Sequence, residues 1–156
     1  MDKNILIVIN AIADDILELS KSIFDRNDIG TNRKTGKNTL KESALSDSIK
    51  VEVSNMGESV VIRALFDNYI DYIENGRKPQ SGKQPPIDAL RDWALERGIP
   101  TDNSTLFLIG RAIWRDGYQG RPVLFTLEEE IDKLMDEKWA DRLLESLTKE
   151  LEKQFD

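Results

Sequence analysis

The chain contains neither cysteine nor histidine among its 156 residues. Without cysteine there is no disulfide bond, no cysteine-ligated zinc, no iron–sulfur cluster and no thiol nucleophile, and nothing requires an oxidising compartment. Without histidine there is no Ser-His-Asp triad, no histidine-ligated metal and no side chain whose ordinary pKa lies near neutrality. Only carboxylate, lysine or tyrosine chemistry is left for catalysis, so the composition favours a protein that is not an enzyme.

Long apolar runs are missing as well. The longest run, residues 5–9, has five residues, whereas a helix that crosses a bilayer needs about 20. The same run lacks the flanks of a secretion signal, because Asp14 and Asp15 stand where a small-residue cleavage site is expected. We therefore expect no export by the general secretion route, no membrane partner and, from the length, a single domain over 1–156.

The formal charge of −7 is distributed unevenly along the chain. Three segments are acidic, namely 1–28 (−3), 51–76 (−4) and 122–156 (−6), whereas 29–50 and 77–121 each carry +3. An acidic protein is not expected to bind nucleic acid over its whole surface. Segments of opposite sign suit contacts between copies of the chain or with another protein, although ordinary solvated faces give the same counts.

Apolar spacing predicts a helix at the start of the chain and a β-hairpin after it. The helical stripe consists of Ile5, Ile9, Ile12, Ile16, Leu19 and Ile23. Residues 28–48 have the composition of a long polar loop, in which Leu40 and Leu45 are either hydrophobic anchors or part of a short helical turn. Alternating residues at 49–54 and a β-branched run at 60–66 predict two antiparallel strands.

The second half of the chain has the spacing of several helices. We expect a short helix at 67–76 that Gly76 ends, and longer helices at 86–97 and 104–116. Thr126 and Glu129 have capping-box spacing, which predicts a C-terminal helical extension over 126–156. The predicted fold class is α+β, with a long N-terminal helix and further helices packed on a small antiparallel β-sheet.

The acidic residues do not suggest an active site. Glu128, Glu129 and Glu130 are consecutive and therefore point around a helix, where the helix dipole explains first-turn acids. The tripeptide Asp136-Glu-Lys138 matches a metal-dependent nuclease motif but lies in a helical pattern. No catalytic, cofactor-binding or metal-binding residue is predicted, and a small nuclease that uses carboxylates and a divalent ion is the weakest of three hypotheses.

Nucleic-acid binding is a second hypothesis. Arg33, Lys34, Lys37 and Lys41 cluster in the polar loop, where they are able to contact phosphates without reading sequence. The segment 86–116 resembles a helix-turn-helix with Arg111 and Arg115 on its second helix, which would make the protein a small DNA-binding regulator. Its connection is longer than the usual turn of three or four residues, and the presumed recognition helix is mainly apolar.

Four phrases, in this order, resemble those of the tail-completion or neck proteins of long-tailed bacteriophages. The first, TLKESALSDSIKVEV (39–53), ends a polar loop before a strand and contains Ser48 and Ile49. The second, NYIDYIENG (68–76), contains Tyr72, Glu74 and Gly76; the third, KQPPIDALRDWALERGI (83–99), contains Trp93; the fourth, LFLIGRAIWRDGYQGRPVL (106–124), contains Arg121 and Pro122. The chain departs from the family in Asn-Gly-Arg after Glu74, where Phe-Gly-Thr is common, and in Val123, where an aromatic residue is usual.

The resemblance implies a structural virion protein that carries out no catalysis and needs no cofactor. It implies an α+β subunit that forms a ring with copies of itself around the DNA channel. Such a ring joins the portal or adaptor complex to the tail tube or tail-terminator protein, at the neck of a virion assembled in the host bacterial cytoplasm. Arg33, Lys34, Lys37 and Lys41 would then contact either a neighbouring subunit or, non-specifically, the genomic DNA.

Overall fold

The computed structural model describes residues 3–33, 35–57, 59–67 and 70–155. It is 63% helical and mixes helices with small antiparallel sheets, which confirms the α+β class. The helices are α1 (Lys3–Asp25), α2 (Asn27–Gly30), α3 (Ala44–Asp47), α4 (Ile70–Asn75), α5 (Ile87–Glu96), α6 (Asn103–Asp116), α7 (Val123–Leu134) and α8 (Ala140–Phe155), with a π-helical turn at Met135–Trp139. The strands are β1 (Lys50–Asn55), β2 (Val60–Leu65), β3 (Gly76–Arg77) and β4 (Tyr118–Gln119).

Backbone contacts cluster in two compact units. The first unit comprises Met1–Asn68 and Val123–Asp156, and the second comprises Tyr69–Pro122. The single domain expected from the length stays a prediction.

The core of the first unit lies between α1, the hairpin and the C-terminal segment. Ile12 and Ile16 of α1 pack with Trp139, and partly buried side chains from the hairpin and the later helices surround them. The predicted stripe of α1 is confirmed, since Ile9, Ile12, Ile16 and Ile23 are buried. Burial of one apolar face, rather than intrinsic propensity, is what usually stabilises such a helix.

The predicted hairpin is also confirmed. Strands β1 and β2 pair antiparallel, with Val51 opposite Ala64 and Val53 opposite Ile62. These four side chains share one face of the sheet, because alternate residues of a strand point the same way, and Val51, Ile62 and Ala64 pack on the α1 core.

The predicted polar loop over 28–48 contains short elements of its own, in line with the two alternatives given for Leu40 and Leu45. The segment contains α2 at its start, α3 near its end and an isolated bridge between Thr31 and Asn38. Leu40 and Leu45 are both buried. Burial of these two leucines offsets the entropy that is lost when a polar segment becomes ordered. Composition alone does not reveal this burial.

The C-terminal extension begins at Val123, three residues before the predicted start at 126. Pro122 directly precedes the helix, where its missing N–H and fixed φ cost nothing. An earlier start places Val123, Thr126 and Leu127 on one buried face. Thr126 is therefore a buried residue within the helix and not its cap, so the predicted capping box is wrong.

The second unit is built from α4, α5 and α6 and the short β3–β4 ladder. Leu90, Ala94 and Leu106 form its buried core, with Trp93 and four isoleucines packed around them. Helix α6 is capped by Asp102, whose Oδ2 accepts a hydrogen bond from the backbone N of Thr105 at 3.0 Å. The structure confirms helices close to 86–97 and 104–116. Within the predicted 67–76 helix it has α4 at Ile70–Asn75, and residues 68 and 69 of that prediction lie outside the described residues. It adds two short strands, β3 and β4, that the sequence pattern does not indicate.

Candidate interaction surfaces

The basic segment 29–41 is folded and presents its cations to solvent. Arg33, Lys37 and Lys41 are exposed, and Lys34 lies outside the described residues. The backbone N of Asn32 donates to the carbonyl of Lys37 at 2.8 Å, which closes the turn that carries Arg33. None of the ion pairs between described residues includes Arg33, Lys37 or Lys41. The cations are therefore available to a phosphate or to an acidic protein surface.

Asn38 holds this basic segment against the end of α1. Its Nδ2 donates to the carbonyl oxygens of Phe24 at 3.3 Å and Asp25 at 3.2 Å. Its Oδ1 accepts from the backbone N of Leu40 and of Lys41, both at 3.0 Å. The last carbonyls of a helix lack partners within the helix, so one amide side chain satisfies both the helix end and the turn that follows.

The sequence pattern does not point to Asn38, whose role depends on a close contact with Gly30. A Cβ at Gly30 would overlap the Asn38 side chain, so the two residues require each other's close approach. Asn within a Gly-containing polar segment is common in loops generally, which is why spacing alone does not single it out.

The first phrase of the resemblance lies in the first unit and has a structural role. Ile49 is buried just before β1. The Ser48 hydroxyl donates to the carbonyl of Leu45 at 2.6 Å and accepts from the backbone N of Asp67 at 3.4 Å. Ser48 therefore connects the end of α3 to the residues that follow β2.

The second and fourth phrases meet in the second unit. Gly76 pairs with Gln119, and Arg77 with Tyr118, in the β3–β4 ladder. Beyond the ladder, the backbone N of Arg121 donates to the carbonyl of Ile73 at 2.7 Å. We call this element, residues 73–77 with 118–121, the glycine junction.

Glycine at position 76 is required by the backbone of the glycine junction. Its φ is +65°, a region that L side chains rarely adopt, and a Cβ there would overlap the backbone of Gly120 and Tyr118. The two phrases therefore pack backbone against backbone, with no room for side chains between them.

Two tyrosines and an arginine accompany the glycine junction. Tyr72 is exposed and Tyr118 is partly buried. Burial raises the pKa of Tyr118, the positive charge of Arg77 opposes that shift, and Tyr72 adds to it. The Arg77 guanidinium donates to the carbonyls of Ser81, at 2.9 Å, and Lys83. Arg77 therefore holds the 78–83 loop in place. Glu74, which precedes Gly76 in the second phrase, is partly buried.

Trp93 and Arg121 share a basic neighbour, Arg97. The Arg97 guanidinium lies over the Trp93 ring, 4.7 Å from its centroid, in the geometry of a cation–π contact. Burial lowers the pKa of Arg121 from its ordinary value, and the positive charge of Arg97 lowers it further. Pro122, the last residue of the phrase, is exposed.

Helix α6 presents a mixed apolar and basic face to solvent. Phe107, Leu108, Arg111 and Arg115 are exposed, and we call these four residues the α6 face. The Arg115 guanidinium pairs with Asp116 next to it, at 2.9 Å and 3.0 Å. Arg111 and Arg115, the two cations of the helix-turn-helix hypothesis, thus lie beside Phe107 and Leu108 on this helix.

Helix α8 has an exposed apolar stripe. Its members are Leu144, Leu147, Leu151 and Phe155, and we call them the α8 stripe. In the sequence, Leu143, Leu147, Leu151 and Phe155 repeat every four residues, which favours a helix. In the structure Leu143 packs against the core of the first unit, and Leu144 belongs to the exposed stripe in its place. An apolar stripe of this kind is normally buried. Its exposure is therefore not predicted by the sequence.

Among the described residues there is no group of three or more acidic side chains arranged to hold a metal ion. The nuclease-like tripeptide 136–138 lies in the π-helical turn, where Lys138 pairs with Asp15 of α1 at 3.3 Å. In the part of the chain that is described, no helix is long and apolar enough to cross a membrane.

No protein-family model, no curated protein and no solved structure matches the chain.

Proposed function

We propose that the chain is a structural protein of the phage neck, which forms a ring between the portal or adaptor complex and the tail tube. The observation that carries this proposal is the glycine junction. Two phrases of the family resemblance, more than 40 residues apart in the sequence, pair there through Gly76 and Gln119 and through Ile73 and Arg121. This pairing supports the proposal because it brings two of the four phrases into one packed element.

The charge distribution is consistent with a ring. Neighbours in a ring meet head to tail, so each subunit needs two different and complementary patches. Acidic and basic segments alternate along this chain, with +3 over 77–121 followed by −6 over 122–156. Complementary charges on the two patches raise the association rate and disfavour wrong registers.

The basic segment 29–41 has two roles open to it in such a ring. It contacts either an adjacent subunit or the phosphates of DNA in the channel. Arg33, Lys37 and Lys41 are exposed on a segment whose backbone is held by Asn38. A held segment pays less ordering entropy on binding than a mobile one, in either role.

The first test is to look for the chain in purified particles of the phage that encodes it, and to cross-link those particles for mass spectrometry. We expect links between copies of the chain, and links to portal, adaptor or tail-terminator proteins. Deletion of the gene should leave DNA-filled heads and finished tails that do not join. Infectious particles that form normally without the chain would contradict the proposal.

A DNA-binding regulator is the alternative that this experiment also addresses. If the chain is absent from particles, binding to duplex DNA becomes the next measurement. Changing Arg111 and Arg115 to alanine should then abolish binding, because these are the exposed cations of the second helix. Sequence-specific binding that these changes remove would favour the regulator.

A further inference from the structure

The α8 stripe is a continuous apolar surface near the end of the chain. Its four members follow one another at intervals of three, four and four residues, which places them on one face of a helix. Each is between 47% and 85% exposed. Single exposed apolar residues are normal on a protein surface, but a contiguous group is typical of an interaction site.

The edges of the α8 stripe are acidic. At about 100° of rotation per residue, Glu150 and Glu152 border the stripe on its two sides. Lys149 and Lys153 lie on the far side of the helix, where Lys149 pairs with Glu145 at 3.2 Å. A partner of this surface is therefore expected to present large apolar side chains together with basic ones.

This charge pattern disfavours two kinds of binding partner for the α8 stripe. An anionic lipid surface binds helices whose polar face is rich in Lys and Arg, whereas acids border the α8 stripe. A symmetric pair of α8 helices would bring the acidic edges of both copies together, and like charges that meet in an interface weaken association.

The α6 face has the complementary composition. Phe107 and Leu108 are adjacent and exposed, and Arg111 and Arg115 follow them on the same side of the helix. Outside the α8 stripe, the other exposed large apolar side chains of the described residues stand singly along the sequence: Ile7, Met56, Leu65, Tyr72, Leu95, Phe125 and Met135.

We infer that the α8 stripe of one copy docks on the α6 face of a second copy. The leucines of the stripe pack on Phe107 and Leu108, while Glu150 and Glu152 meet Arg111 and Arg115. The two surfaces differ, so the contact is heterologous and leaves one free stripe and one free face for further copies. The inference rests on the proposed function in taking the partner to be another copy of the chain.

The absence of cysteine makes this contact directly measurable. Two purified variants, Leu147→Cys and Leu108→Cys, are mixed and treated with a short thiol-specific cross-linker. The protein concentration is raised until light scattering detects assembly. We expect a dimeric product in the mixture that is at least tenfold more abundant than in either variant alone. Lys133→Cys, an exposed position on α7, replaces Leu147→Cys as the matched control.

Three results would overturn the inference. One is abundant product from Leu147→Cys alone, which would mean that α8 pairs with α8. Another is a yield no higher than that of the Lys133→Cys control. The third is the absence of cross-linked product both in solution and in particles that carry the two cysteines in one chain.

Charge exchange is a second and independent test. Arg111→Glu with Arg115→Glu should weaken self-association about tenfold or more, and so should Glu150→Arg with Glu152→Arg. All four changes in one chain should restore it, because the pairs are then present with reversed signs. Lys149→Glu with Lys153→Glu, on the far side of α8, is the control and should have little effect. No recovery in the fourfold variant would contradict the contact, provided circular dichroism shows the helices intact.

These tests separate failure of the inference from failure of the proposed function. If particles contain the chain and assemble normally with Leu147→Glu and Leu151→Glu, the neck function stands and the docking contact is wrong. If the α8–α6 cross-links form in solution but particles lack the chain, the contact stands and the neck function is wrong.

Discussion

The indole Nε1 of Trp139 donates a hydrogen bond to Oδ2 of Asp15 at 3.0 Å, across 124 positions of sequence. Trp139 is completely buried in the core of the first unit, whereas Asp15 lies at its edge on α1. Lys138 approaches the same carboxylate oxygen at 3.3 Å and Arg142 at 3.9 Å. One carboxylate therefore connects the first helix to the C-terminal segment through two hydrogen-bond donors and a third, more distant cation.

Removal of this carboxylate should destabilise the protein in a pH-dependent manner. Burial by itself raises the pKa of Asp15, but the hydrogen bonds from Trp139 and Lys138 and the charges of Lys138 and Arg142 lower it below its ordinary value of 3.8. A lowered folded-state pKa contributes stability above the unfolded value, and this is lost as the pH falls through the folded value. Asp15→Asn should thus cost about 1–2 kcal/mol near neutral pH, and the difference from the wild type should shrink below pH 3.8.

Urea unfolding of both proteins, at neutral and at acidic pH, measures this difference. Asp14→Asn is the matched control, since Asp14 is the exposed neighbour on the same helix and should change stability by less than about 0.5 kcal/mol. If Asp15→Asn and Asp14→Asn lower the free energy of unfolding equally, or if the effect of Asp15→Asn does not depend on pH, the carboxylate does not connect the helices.

The glycine junction should tolerate no side chain at position 76. Gly76 and Gly82 have nearly the same φ, +65° and +62°, but a Cβ at Gly76 overlaps the Gly120 and Tyr118 backbone and one at Gly82 meets nothing within 4 Å. Both Gly→Ala changes incur the conformational cost of about 1 kcal/mol. Gly76→Ala should cost at least about 2 kcal/mol more, because the β3–β4 backbones must separate. Comparable unfolding free energies for the two variants would contradict the close packing.

Residues with a strong local pattern were predictable from the sequence. The apolar stripe of α1, the alternation of β1 and the β-branched run of β2 each follow one period, and each is where the pattern predicts it. Helices α5 and α6 also carry their boundaries in Pro86, Gly98 and Gly117.

Features that depend on distant partners were not predictable in the same way. Asn38 matters because the end of α1 lies beside it, and the glycine junction forms because residues 76 and 119 meet after folding. Thr126 has the spacing of a cap but is buried, since an earlier helix start gains more from burying Val123 and Leu127. The α8 stripe has the period of a buried face and is exposed, which no single-chain pattern reveals.

Loss of the Asn38 amide should open the basic segment locally. Asn38→Ala removes the donors to the Phe24 and Asp25 carbonyls and the acceptor for the Leu40 and Lys41 amides. We expect these two amides to exchange hydrogen about tenfold faster, consistent with a local loss of roughly 1–2 kcal/mol. Hydrogen-exchange mass spectrometry on peptides from 29–41 measures this rate.

The matched control is Thr35→Ala. This change removes a longer hydrogen bond, which the backbone N of Lys37 donates to the Thr35 hydroxyl at 3.3 Å. It should leave exchange at Leu40 and Lys41 unchanged. Asn38→Asp should be at least as damaging as Asn38→Ala, because a carboxylate would face the negative end of the α1 dipole. Unchanged protection in both Asn38 variants would mean that Leu40 and Leu45 alone hold the segment.

If the proposed ring forms and binds DNA, the exposed cations of the basic segment should determine how that binding depends on salt. Each phosphate contact contributes about 0.9 to the slope of log K against log salt, so changing Arg33, Lys37 and Lys41 together to alanine should reduce that slope by roughly 3. Titration of duplex DNA over a range of salt concentrations measures it. The control is alanine at Lys21, Lys133 and Lys153, which are exposed in the same unit and remove the same charge. An unchanged slope together with fewer assembled rings would place these cations at a contact between subunits, because neutralising them would then weaken assembly and leave DNA binding as it was.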